Sequence, residues 1–303
     1  MASPLANPST QAREERSSEI RVSRSHSHLD LPAPLRLWHL ASLDAPTVAV
    51  VWSLSFAHAA NIHLPRWVPV LLALTTWAVY IGDRLLDAAS ALRSGDLSHL
   101  RERHYFHWTH RRLLLPCAIL AATASVAIVF LLMPAGIRGH DSILAAAALV
   151  YFSGTHISIR SEQRRQSLFS KEFFVGVLFT AGCALPTLSR LPSAGASNAL
   201  PLLAAFAFFA MLAWLNCYAI DRWEAGTHSA VTVNASVLGT SGIVLAFIYS
   251  SAHTMDVPAL LLQGSISVLG LALLDRFRDR MRPLTLRAAA DLTLLTPLIL
   301  FTR

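Results

Sequence analysis

Charge is scarce in this chain: Asp, Glu, Lys and Arg make up 14% of its 303 residues, against 54% hydrophobic side chains and a mean hydropathy of +0.48. So little polar surface cannot coat a water-soluble globule of this length, which excludes the soluble classes and points to an all-α, polytopic membrane protein. Cysteine is scarcer still. Cys117, Cys183 and Cys217 lie far apart, each inside an apolar run, so neither a disulfide framework nor a CxxC metal site is available and small packing residues are the plain reading. The first 35 residues lack an apolar stretch of the signal-peptide kind. Rich in Ser, Arg, His, Glu and Pro, they read as a disordered cytoplasmic tail, with residues 36–303 as one transmembrane domain.

What is present in abundance is apolar segments of spanning length. A hydrocarbon core about 30 Å thick needs about 20 apolar residues in a helix, and such segments fall near residues 37–58, 67–88, 112–133, 142–160, 171–189, 199–220, 232–251, 257–275 and 285–302. Nine spans are therefore expected. With that alternation, only Arg66, Arg138, Arg190 and Arg303 of the 25 basic residues fall on one side, and the positive-inside rule then puts the N-terminus in the cytoplasm and the C-terminus outside. The net charge of +7 is accordingly a signal of topology and of attraction to anionic lipid, not of nucleic-acid binding.

Two acidic patches stand at cytoplasmic ends of spans: Tyr80-Ile-Gly-Asp-Arg-Leu-Leu-Asp87 after the second, and Asn216-Cys-Tyr-Ala-Ile-Asp-Arg-Trp-Glu224 after the sixth. A carboxylate next to hydrocarbon is costly unless something compensates it. Asp83 and Asp87 share a helix face at spacing i, i+4, and Asp221 and Glu224 are at i, i+3. Oxygen ligands of this kind suit a hard cation such as Mg2+, which prefers phosphate as a further ligand, so a phosphorylated guest is expected. Arg101, Arg103, Arg164, Arg165, Lys171 and Arg222 supply donors for phosphate oxygens nearby. The plainer alternative is that Asp83-Arg84 and Asp221-Arg222 are interfacial ion pairs marking the membrane boundary.

At these residues the chain resembles the UbiA superfamily of intramembrane prenyltransferases. The family's first motif, N-D-x-x-D-x-x-x-D, keeps its last two acids here as Asp83 and Asp87, with Val79 and Tyr80 standing in place of Asn-Asp. The second motif, D-x-x-Y-A-x-x-D-R-x-x-D, is similar to N-C-Y-A-I-D-R-W-E, offering Asn216, Asp221 and Glu224 with one residue fewer between the first two. Ser42-Leu-Asp-Ala-Pro46 looks like the family's R-L-D-x-P entry with Ser42 for Arg, and Arg164-Arg165 fall where the family has Lys-Arg. The resemblance covers residues 36–303.

The resemblance implies a nine-helix UbiA-like bundle and Mg2+-dependent transfer of an isoprenyl group from a prenyl diphosphate to an aromatic or quinone-like acceptor. It implies a multi-pass protein of a bacterial-type inner membrane. Asp83, Asp87, Asp221 and Glu224 would hold Mg2+, with Asp83, Asp87 and Asp221 as the catalytic acids. Asn216, Glu224, Arg101, Arg164, Arg165, Arg222, Tyr80 and Tyr218 would bind substrate. Aromatic faces at Trp77, Tyr80, Phe152 and Tyr218 would stabilise an allylic cation, or serve simply as interfacial belt. Asp44 and Asp291 either orient the acceptor and take its proton, or hydrogen-bond neighbouring helices. His104, His107 and His110 recur every third residue, which drifts around a helix and suits lid or interfacial contacts better than one metal ion. Two alternatives remain: a non-catalytic relative that binds lipid or isoprenoid, and a secondary transporter, whose charges would sit nearer the midplane.

Overall fold

The computed structural model describes residues 31–94, 101–136, 138–139, 171–191, 196–226, 230–250 and 256–302, and these are helical with connecting turns. The expected fourth span at 142–160, the Arg164-Arg165 pair, Phe152 and most of the N-terminal tail lie outside the described residues. Among the described residues ten α-helices occur in chain order: α1 Ala33–Leu40, α2 Asp44–Ala59, α3 Trp67–Ser94, α4 Glu102–Thr109, α5 Arg111–Leu132, α6 Lys171–Leu188, α7 Ala196–Ala225, α8 Val231–Tyr249, α9 Val257–Phe277 and α10 Pro283–Thr293, with short 3-10 helices at Arg278–Arg280 and Thr296–Thr302. Among the described residues, five stretches are long and apolar enough to cross a bilayer: Trp67–Arg93, Arg111–Leu132, Ala199–Ala225, Val231–Tyr249 and Val257–Arg280. This is the architecture of a membrane-embedded helical bundle.

Two expected spans are broken. Between α1 and α2 the chain turns by 87°. Ser42 there has φ 58, and the amides of Ser42 and Leu43 bond the carbonyls of His39 and Trp38 at 3.0 Å each. That is a Schellman ending, with serine in the left-handed position that glycine normally takes. At the other end, α10 stops at Thr293 and a 3-10 helix continues. Pro297, which has no N–H and clashes with the carbonyl four residues back, accounts for the change.

The core is built around α7. Trp52 of α2 stacks on Phe209 of α7 with centroids 4.0 Å apart, and Phe56 meets Phe206 edge-on at 4.7 Å. Trp52 also donates through Nε1 to the Leu294 carbonyl at 2.8 Å, tying α2 to the end of α10. Glycine permits a close backbone approach: a Cβ at Gly176 of α6 would lie 2.8 Å from the Trp214 backbone nitrogen of α7. By contrast, α5 and α8 turn Leu120, Leu131, Val237 and Phe247 outward, apolar faces suited to lipid. Helix α2 packs on α3 and α6, and α6 packs on α7, whereas α3 and α7, which carry the two acidic patches, are not packed along one another among the described residues.

Candidate functional site

The end of the bundle where α1, α3, α4, α7 and α10 meet collects most of the buried charge. On α3 the inward face carries Trp77, Ile81, Arg84 and Ala88, of which Ile81, Arg84 and Ala88 are at most 3% exposed. Arg84 is therefore inside, and Asp83 and Asp87 are turned aside by their helical phase. Asp83 is half-buried and Asp87 is exposed, with its Oδ2 3.9 Å from His104 Nε2. On α7 the same phase effect leaves Asp221 exposed and Glu224 turned inward.

Glu224 is fully engaged. Arg103 Nη1 and Arg287 Nη1 donate to its Oε1 at 3.0 and 2.9 Å, and Arg101 Nε lies 3.5 Å from Oε2. Three guanidinium groups on one carboxylate leave that mouth positive. Among the described residues, no three of Asp83, Asp87, Asp221 and Glu224 bring carboxylate oxygens within 4.8 Å of each other. The four acids thus do not fit one Mg2+ ion held in common. Arg222 lies over the Tyr218 ring at 5.1 Å and Arg84 over the Tyr80 ring at 5.8 Å, so a face of each of these two tyrosines already has a cation.

The group that does converge joins Asp44 and Asp291, both noted in the sequence, to His39, which sequence reasoning missed. His39 of α1, Asp44 of α2 and Asp291 of α10 place one ligand atom each within 4.8 Å of one another. His39 Nδ1 is 2.6 Å from Asp44 Oδ2 and 3.6 Å from Asp291 Oδ2. The second oxygens are held from outside: the Ala45 amide donates to Asp44 Oδ1 at 2.9 Å, and Asn216 Nδ2 donates to Asp291 Oδ1 at 3.0 Å. Asn216 therefore positions Asp291. The sequence signals for this group are a histidine five residues before Asp44 and the i, i+4 pair Arg287 and Asp291.

Helix α4 clamps the kink. His107 Nδ1 donates to the Arg103 carbonyl at 2.7 Å, since a carbonyl only accepts, and this fixes Nε2 as acceptor for the Ser42 hydroxyl at 3.0 Å. Trp77 Nε1 donates to the kink carbonyl of Ala41 at 2.9 Å. His104 caps its own helix, its Nδ1 accepting the Arg101 amide at 3.0 Å. Burial, reinforced for His104 by the neighbouring Arg103, pushes both imidazoles down, His104 to about 3 and His107 to about 4, so both are neutral at physiological pH. Burial and Arg287 lower Arg103 to about 9, which leaves it charged.

Beside this constellation opens a cavity of about 700 Å³. Arg36, Arg101, Arg103, Arg282 and Arg287 face it against only Glu102 and Glu224, and Leu31, Leu37, Leu40 and Leu284 form an apolar wall. Arg36 and Glu102 pair across its rim. An excess of fixed guanidinium groups beside leucine is the chemistry of a site for an anionic head with a hydrocarbon tail. The chain matches no protein-family model, no curated protein and no solved structure.

Proposed function

We propose that this chain is a nine-span membrane transferase, N-terminus in the cytoplasm, that takes an isoprenyl group from a prenyl diphosphate and passes it to a lipophilic acceptor of aromatic or quinone type. The observation that supports it is the arginine-rich cleft of about 700 Å³ with its leucine wall, a volume within the range of about 300–1,000 Å³ typical of small-molecule sites. Arg101, Arg103 and Arg287 would bind the diphosphate, and the leucines would receive the first isoprene units. As the allylic C–O bond breaks, its electron pair leaves on the diphosphate oxygen, where the guanidinium groups stabilise the new charge. The acceptor carbon supplies the pair for the new C–C bond, and its proton leaves with the diphosphate. Magnesium, implied by the family resemblance, does not fit the four acids as a single ion, and no step here depends on it.

A second reading, binding of a prenyl diphosphate without turnover, is favoured by one observation: Glu224, expected as a metal ligand, is spent on three arginines. Purified protein in lipid bilayers, given labelled prenyl diphosphates of several lengths with extracted membrane lipid, separates the two. Release of diphosphate supports transfer. Saturable binding without release supports the second reading, and absence of both refutes the cleft as a prenyl diphosphate site.

A further inference from the structure

The converging group of His39, Asp44 and Asp291 has a use that prenyl transfer does not require. Its three facing atoms come from three different helices and all lie within 4.8 Å of each other. Metal–ligand bonds of about 2.0–2.2 Å in tetrahedral or octahedral arrangement put neighbouring ligand atoms about 2.9–3.5 Å apart; the two separations from His39 Nδ1, 2.6 and 3.6 Å, bracket that range within a few tenths of an ångström. The remaining oxygens of both aspartates are tied back, one by the Ala45 amide and one by Asn216. Such outer hydrogen bonds turn a carboxylate so that a single oxygen faces inward, as they do around metal-bound carboxylates.

His39 supplies the second, independent observation. It is 0% exposed; Nδ1 forms a close pair with Asp44 Oδ2 at 2.6 Å, and Nε2 has no hydrogen-bond partner. A fully buried imidazole nitrogen left without a hydrogen bond is costly as it stands, and a small shift of the His39 ring would bring Nδ1 to ligand spacing from both carboxylate oxygens.

One imidazole with two carboxylates suits a divalent first-row transition ion such as Zn2+ better than Mg2+, which prefers oxygen alone and retains its waters.

We infer that His39, Asp44 and Asp291 form a buried site for a divalent transition-metal ion, positioned by Asn216 and the Ala45 amide and separate from the arginine cleft. This inference stands whether or not the chain transfers prenyl groups. The test uses the full chain in detergent, stripped with chelator and titrated with Co2+, whose visible absorption reports nitrogen and oxygen ligation. One equivalent of Co2+ should bind per chain and be displaced by Zn2+ but not by equimolar Mg2+. His39→Gln and Asp291→Asn should abolish it, and Asn216→Ala, which removes only the outer hydrogen bond, should weaken it about 10–100-fold. The double variant Asp83→Asn/Asp221→Asn and the exposed Asp279→Asn should bind as the parent does. Each variant is compared by elution profile and thermal transition, so Asn216→Ala decides the matter if a ligand variant fails to fold. Sub-stoichiometric Co2+ binding, displacement by equimolar Mg2+, retention in Asp291→Asn and His39→Gln, or loss in Asp83→Asn/Asp221→Asn would each overturn the assignment.

Discussion

Replacing Glu224 with glutamine separates two roles that the sequence does not distinguish, metal ligand and neutraliser of arginines. In the structure its carboxylate takes hydrogen bonds from Arg103 and Arg287 at 3.0 and 2.9 Å, with side chains 14–21% exposed. Breaking a fully buried pair costs about 3–5 kcal/mol, and partial exposure at this mouth reduces that to about 2–3 kcal/mol. At about 2–4 °C per kcal/mol for a domain of this size, the thermal transition in detergent should fall by roughly 5–10 °C. Affinity should move the opposite way. An anion held by the same guanidinium groups would sit roughly 7 Å from the lost carboxylate, and at an effective dielectric of about 20 the removed repulsion is about 2 kcal/mol. Pyrophosphate or a short prenyl diphosphate should therefore bind roughly 10–30-fold more tightly to Glu224→Gln by calorimetry. Weaker binding in the variant would refute this reasoning and return Glu224 to the role of metal ligand for the diphosphate.

Acid should loosen the kink. His104 and His107 have folded-state values pushed down to about 3 and 4, so the unfolded chain takes up protons first, and stability falls as pH drops below about 6.5; thermal midpoints measured from pH 7.5 to 5 should show the fall, with a shallower slope in His107→Gln. Ser42→Ala leaves His107 Nε2 without its donor and should cost about 1–3 kcal/mol, whereas Ser42→Gly, relieved of the left-handed strain at φ 58, should cost about 1 kcal/mol less; equal losses in the two variants by thermal unfolding would contradict the Schellman assignment. Phe209→Ala removes a fully buried ring stacked on Trp52 and should cost about 3–5 kcal/mol, read as the loss of well-dispersed, monodisperse protein on heating.

Helix identity and membrane character were legible because they depend on long apolar runs, and those at 67–88, 112–133 and 257–275 stand as helices with their apolar faces outward where the bundle ends. The break at Ser42 was not, because nothing in Ala-Ser-Leu-Asp marks a left-handed residue when serine takes the place of glycine. Pro297 was visible in the sequence, yet the apolar run through it masked its effect. The acidic patches lie at the end of the bundle where the buried charge collects, with Asp87 and Asp221 on exposed phases of their helices. Asp83 and Asp221 draw attention by their charge, while their neighbours Arg84 on α3 and Asn216 on α7 point inward, as the spacing of Ile81 and Ala88 around Arg84 would have indicated. The His39, Asp44 and Asp291 group joins residues up to 252 positions apart across three helices, and no local pattern encodes such a meeting.

Whether the arginine cleft receives a prenyl diphosphate is read from a prenyl diphosphate analogue carrying a photoreactive group in its first isoprene unit, cross-linked to the bilayer-embedded protein and located by peptide mapping. The label should fall on the leucine wall, within the peptides of α1 and α10 that contain Leu37, Leu40 and Leu284, and excess pyrophosphate should suppress it. Labelling confined to the outer faces of α5 and α8, insensitive to pyrophosphate, would contradict the claim.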